Sequence, residues 1–232
     1  AGRFTICVRI PGWSWNQPVP SDLYRYLETN PETVTLKING EKTDFNIEKG
    51  YVHLTRQWQI GDIVELDLPM PIRRVIANEK VEADLGRVAL ERGPLVYCTE
   101  WPDNKGEVFN LVLDDEAALG ARHQEDLLGG ITVLRGKATG LNFASDGKTL
   151  IRRQRDLTAI PYYAWAHRGQ GEMAVWLARD ESAAEPPLPE GMLRNGSFEK
   201  AVGRNPAGWE RHTYGGQAQH RLASDGHTGE RC

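Results

Sequence analysis

The feature that most constrains this chain is a period-two alternation of apolar and polar side chains that recurs between clusters of Gly, Pro and Asn. In residues 3–10, Phe4, Ile6, Val8 and Ile10 alternate with Arg3, Thr5, Cys7 and Arg9, the pattern of a strand that buries one face. It stops at Pro11-Gly12-Trp13. Val34, Leu36 and Ile38 repeat it, and Asn39-Gly40 then supplies the two positive-φ positions of a type I′ hairpin before Glu41 opens the return strand. Residues 51–55 and 63–68 continue the series across the polar turn Gly61-Asp62. Pro69-Met70-Pro71 ends it, because neither proline can donate to a ladder. Four or five short strands at this spacing predict a β-sandwich.

A second series covers residues 87–91, 95–99, 108–113, 131–134, 149–152, 158–165 and 173–178, with Gly93-Pro94 turning between the first two. Residues 21–27 (Ser-Asp-Leu-Tyr-Arg-Tyr-Leu) form either one helical turn or a loop that packs its Tyr and Leu side chains on the sheet, an insertion between strands. Only residues 114–128 have helix-forming composition, ended by Gly129-Gly130. Residues 181–192 hold three prolines and no aromatic residue and read as a semi-rigid linker. The remaining segment, 193–232, is too short and too polar to build a core of its own. The expected organisation is all-β: a first antiparallel sandwich at 1–77, a second at 78–180, the linker, and an incomplete module at 193–232.

Composition narrows the function classes. With 24 glycines, 13 prolines and 40% hydrophobic residues, the chain is turn-rich yet able to fold. Its 28 basic residues fall short of 32 acidic ones, a net charge of −4, which gives no basic field for nucleic acid. Apolar runs of a few residues fall far short of the ~20 needed to cross a bilayer, so no membrane insertion is expected. The start, Ala1-Gly2-Arg3-Phe4, has no initiating Met and no signal-peptide pattern, and both ends are expected to be cuts. Cys7, Cys98 and Cys232 have no metal or redox spacing. Cys7 and Cys98 fall in strand-like runs as small hydrophobes, with one disulfide still open to them.

Motifs for chemistry are sparse. GxSxG, GxGxxG and GxxxxGK[ST] are absent, and the six histidines form no metal pair. Carboxylates cluster at Glu79, Glu82, Asp84, Glu91, Glu100 and Asp103. A glycosidase needs two of them facing each other across a sugar, ~5–9.5 Å apart, and solvated strand faces carry such residues anyway. Tyr162, Tyr163, Trp165 and Trp176 read as core and interface packing before they read as a sugar platform, as do Trp13, Trp15 and Trp58.

Longer phrases carry a resemblance. Val8-Arg9-Ile10-Pro11-Gly12-Trp13, Ile38-Asn39-Gly40-Glu41, Gly50-Tyr51-Val52, residues 56–62 (Arg-Gln-Trp-Gln-Ile-Gly-Asp), Leu68-Pro69-Met70 and residues 86–98 (Gly-Arg-Val-Ala-Leu-Glu-Arg-Gly-Pro-Leu-Val-Tyr-Cys) stand in one order. Residues 161–169 (Pro-Tyr-Tyr-Ala-Trp-Ala-His-Arg-Gly) and Met173-Ala174-Val175-Trp176 follow. Together they resemble the β-sandwich part of glycoside hydrolase family 127. The resemblance implies a parent in which an (α/α)6 barrel precedes two sandwiches, acting on β-L-arabinofuranosides or related plant-type glycans. Its nucleophile would be a cysteine thiolate on zinc, with a glutamate as acid/base, all in the barrel. Cys7 and Cys98 lie in sandwich phrases, so no catalytic or zinc residue is assigned here, and the chain is expected to be inactive alone. The stretch 16–32 is longer than the matching connection in some members.

Leu193-Arg194-Asn195-Gly196-Ser197-Phe198-Glu199 and Pro206-Ala207-Gly208-Trp209 resemble the opening of jelly-roll carbohydrate-binding modules of the galactose-binding-like type. That likeness implies a calcium site near Glu199 and sugar stacking at Trp209 and Tyr214; the plainer account makes Phe198 and Trp209 core residues. The expected function is a non-catalytic part of a glycosidase bracing its own upstream barrel, with periplasmic or extracellular location implied. The alternatives are a carbohydrate-binding module fragment and self-association through a face that a barrel would cover.

Overall fold

The computed structural model describes residues 2–29 and 33–190 and the backbone of two short strands beyond them. In chain order the strands are β1 Gly2–Arg9, β2 Tyr24–Tyr26, β3 Thr35–Ile38, β4 Glu41–Lys42, β5 Tyr51–Trp58, β6 Val64–Asp67, β7 Ile72–Ala77 and β8 Arg87–Arg92. There follow β9 Leu95–Glu100, β10 Leu111–Val112, β11 Leu119–Gln124, β12 Ile131–Phe143, β13 Leu150–Pro161, β14 Met173–Ala174 and β15 Leu177–Ala178. Ala1–Leu141 with Arg152–Glu185 make one compact unit. Asn142–Ile151 with Pro186–Cys232 make another, in which Asp146 organises the β12–β13 turn by accepting from the Lys148 and Thr149 amides and β16 (Ala201–Val202) pairs with β17 (Asn205–Pro206).

The first sandwich puts the β1–β5 pair against the three strands β4-β3-β6. Alternation decides what goes inside: Leu36 and Ile38 from β3 and Val52, Leu54 and Trp58 from β5 meet Ile10 in one buried cluster, each full burial stabilising by about 1.5–3 kcal/mol. Asn39 and Gly40 adopt φ of 54° and 82°, as the hairpin requires. The Asn39 side chain also ties two turns together, donating to Asp62 at 2.9 Å and accepting from the Ile63 amide at 2.8 Å. The Gln59 amide and Asn39 hold the Asp62 carboxyl below its usual range. Phe4, at the start of β1, is exposed instead of buried.

The second sheet contains a closed circuit. β9 pairs with β13, β13 with β12, β12 with β10, β10 with β15, β15 with β8, and β8 again with β9. The β9–β13, β12–β10, β15–β8 and β8–β9 contacts are antiparallel, and β10–β15 is parallel at Val112↔Ala178. Its largest buried cluster includes Val88, Leu90, Tyr97, Leu111, Leu134 and Leu157. Closure removes free edges along the ring.

β7 belongs to the second sheet, where it pairs with β8, and β2, although early in the chain, adds to the far edge of β7. The stretch 21–27 is thus neither a helical turn nor a loop but carries a strand of the second sheet. It is fastened by the buried Arg73, which lies 3.7 Å from the Tyr26 ring centroid and donates to Asn16 Oδ1 and Glu28 O. Tyr26 donates to Glu91 at 2.9 Å; burial raises both the Tyr26 phenol and the Glu91 carboxyl above their ordinary values. Residues 114–128 do not form the expected helix. Asp114 caps a turn, and β11 pairs with β12 over six residues, because that stretch has no apolar helical stripe and a neighbouring strand offers its backbone a ladder.

Candidate functional site

Two of the six carboxylates singled out in the sequence, Glu100 and Asp103, come together at the end of β9, whereas Glu91 lies with Tyr26. Glu100 is buried, and its Oε1 accepts from the Ala166 amide at 3.1 Å while Oε2 accepts from Arg168. Asp103, in the 3-10 turn after β9, accepts from Arg168 Nη1 at 2.8 Å and from Nη2 at 2.5 Å. The Asp103 and Glu100 bonds raise the Arg168 guanidinium further above its already high value. One cation therefore neutralises two carboxylates, Glu100 on its Nε–Nη2 edge and Asp103 on its Nη1–Nη2 edge, and fills the space between them. Acid/base cleavage of a glycoside needs the two groups on opposite sides of a substrate gap, one protonated and one ionised. This arrangement instead fastens a loop.

The loop is residues 162–171, between β13 and β14. Asn104, fully buried, joins its base by donating to Glu100 O and Thr158 O, each at 2.9 Å. A Cβ on Gly171 would lie 2.2 Å from Trp101, so only glycine lets the loop lie flat on that indole. Ala166 sits at φ 69°, a left-handed conformation costly for alanine and retained because Glu100 holds its amide. The fastened loop presents Tyr162, Tyr163 and Trp165 to solvent, Tyr163 being 64% exposed. The Tyr162 and Trp165 rings stand 5.9 Å apart. Beside them is a cavity lined by Trp165, Glu100, Gly169 and Met173. Trp176 is half-buried against the Tyr26–Val75–Ala89 cluster with its ring 5.5 Å from that of Tyr24, whereas these three aromatics do not join the core.

Cys7 and Cys98 belong to no group of metal ligands among the described residues. Cys98 is buried, and burial pushes its thiol up to about 12. Cys7 is exposed, with His53 Nδ1 at 3.4 Å. Both are free thiols, and among the described residues no three His, Cys, Asp or Glu side chains are placed to hold a metal ion. The resemblance places its zinc in the barrel, and the described residues offer that ion no ligand set. Glu199, Trp209 and Tyr214 lie outside the described residues.

Family comparison matches residues 1–70 to the beta-L-arabinofuranosidase GH127 middle domain and residues 72–178 to the glycoside hydrolase family 127 C-terminal domain. The chain belongs to glycoside hydrolase family 127. The two family matches meet at residue 71, directly ahead of β7. A non-reducing end beta-L-arabinofuranosidase of Bifidobacterium longum subsp. longum is 35% identical over 185 residues, which are 74% of this chain and 25% of that relative. A solved GH127 beta-arabinofuranosidase superposes with a TM-score of 0.76 at 43% identity, covering 79% of this chain and 29% of the other. Ara127N-Se, a GH127 beta-L-arabinofuranosidase from Geobacillus stearothermophilus T6, gives 0.65 at 39% identity, with 76% and 26% covered. The chain thus spans about a quarter of the length of its family 127 relatives.

Proposed function

We propose that residues 1–178 are the non-catalytic β part of a glycosidase acting on L-arabinofuranose-containing glycans, and that they brace its catalytic barrel. The observation that carries this is the order of matches: a middle and a C-terminal family domain, side by side, together spanning a quarter of relatives named for that activity. Zinc and the catalytic groups belong, on this reading, to the remaining three quarters.

The fastened loop supports the bracing role. Exposed Tyr and Trp side chains held rigid before binding lose little freedom on docking, and such residues dominate interface energetics. Tyr162, Tyr163 and Trp165 are therefore the contact proposed for the barrel.

The test is a polypeptide extended through the barrel and assayed on an aryl β-L-arabinofuranoside. The extended protein is expected to release arabinose in a zinc-dependent way, and residues 1–232 alone to release none. Trp165→Ala in the extended protein is expected to lower its thermal midpoint while leaving KM within about twofold. Absence of pentose release from the extended protein removes the substrate assignment.

A further inference from the structure

A pocket on the first sandwich has a chemistry that bracing does not use. Pro11 ends β1, and the 3-10 turn Gly12–Trp15 brings Trp13 and Trp15 to a cavity of about 410 Å³, a volume suited to one or two sugar rings. One wall is tightly built. Ser14 Oγ donates to Pro11 O at 2.7 Å, the Gln17 amide donates to Gly12 O at 3.0 Å, and a Cβ on Gly12 would stand 2.7 Å from Gln17 O.

The facing wall holds Ile47, Lys49 and Gly50. Gly50 has φ 81°, and a Cβ there would meet Arg9 Nη1 at 1.8 Å. Arg9 Nη1 donates to Ile10 O at 2.8 Å and to Gly50 O at 2.6 Å, and the guanidinium lies 5.3 Å from the Tyr51 ring centroid. One non-glycine residue of the lining, Lys49, is left-handed, at φ 50°. Strain of this kind persists where surrounding contacts fix it and marks places shaped for binding.

Charge distinguishes this pocket from the rest of an acidic chain. Its lining contains Arg9 and Lys49 but no carboxylate, and the Lys49 ammonium has no partner among the described residues. The adjoining outer face of the β1–β5 pair continues the pattern. Its outward side chains, from the Arg3–Gln57 pair to the Arg9–Tyr51 pair, are all exposed and include two arginines and a histidine but no acid. Trp15 is 44% exposed, leaving indole surface on which the CH face of a sugar can bury apolar area. The indoles alone would serve a neutral sugar. Glu48, beside Lys49 and bridged to Tyr51, lies outside the lining, so inside the cavity the two cations face no carboxylate and suit an anion.

We propose that the Trp13–Trp15 pocket is a subsite for a carboxylated sugar, a uronate ring that stacks on Trp15 and pairs its carboxylate with Lys49 and Arg9. This assignment does not depend on the bracing role.

The experiment titrates the 232-residue chain with trigalacturonate and with neutral arabinotriose, following tryptophan fluorescence and heat. Saturable binding of trigalacturonate at least 10-fold tighter than of arabinotriose is expected. Trp15→Ala should weaken both at least 10-fold with an unchanged melting midpoint. Lys49→Gln should abolish the acid preference and leave arabinotriose binding intact. Equal affinity for the two sugars, or an acid preference that survives Lys49→Gln, overturns the proposal. So does a DNA oligonucleotide that competes as well as the uronate, since the pocket would then be a generic anion patch. Loss of iodide quenching of Trp15 in a polypeptide extended through the catalytic region would make the pocket a seat for another domain and would likewise overturn it.

Discussion

The two sandwiches meet the same demand in different ways. The first has five strands in two small sheets, and β1 and β5 each have one neighbour. The second routes six strands into a ring in which β9 is paired on both sides at Tyr97, with Leu90 and with Pro161. An open pair leaves half its backbone donors and acceptors facing outward, whereas the ring uses them internally. The ring can therefore carry a fastened loop at its end, and the open pair offers a broad polar face.

The largest expected effect that sharpens this contrast lies at the ring's end. Arg168→Ala leaves Glu100 buried without its cation and should cost about 3–5 kcal/mol, read from urea unfolding. A cost below 1 kcal/mol would mean that water relieves Glu100 and that the loop is not fastened as described. Next come core truncations. Leu157→Ala in the ring and Leu36→Ala in the first sandwich should each cost about 2–5 kcal/mol. The Leu36 variant should lose the near-ultraviolet signal of Trp58 before the ring melts; coincident loss in both variants would break the distinction between the two sandwiches.

A smaller effect concerns hydrogen exchange. Free-edge amides of β1 and β5 are expected to exchange ahead of those in the middle of β9, and comparable protection would show that the open edges are covered. The smallest effect is in acid. Arg179 holds the Asp115 carboxyl below its usual range, so the folded chain ionises it more readily than the unfolded chain does. Stability from this pair is present above pH ~4 and is lost as pH falls through the depressed value. Because both side chains are part-exposed, the gain is under about 1 kcal/mol. Asp115→Asn should flatten the acid limb of the stability curve by that amount.

What the sequence made legible follows from how local each signal is. Asn39-Gly40 specifies its own turn, and the alternation in β3 and β5 specifies its own buried face. β7 escaped because Arg73-Arg74 interrupts its apolar run, and Arg73 is buried only by virtue of Tyr26 and Asn16, about fifty residues away. β11 escaped because its composition favours a helix while its partner in β12 decides otherwise. At the site, Glu100 and Asp103 were visible as residues. Their role was not, since it depends on Arg168, more than sixty positions downstream. The phrase 161–169 was the one signal that could have singled out that loop.

The ring also sets a timetable for biosynthesis. Its closing contacts, Leu177↔Val88 and Val112↔Ala178, fasten its last strand, β15, to its first, β8, and to β10. While the polypeptide leaves the ribosome, β8 and β9 can form a hairpin early, yet their apolar face stays uncovered until residue 178 has emerged. Pairing across that separation is slow, and the exposed intermediate is open to aggregation. A chain that stalls a few residues short of Ala178 would therefore carry nearly all of the second sandwich and be unable to shut it.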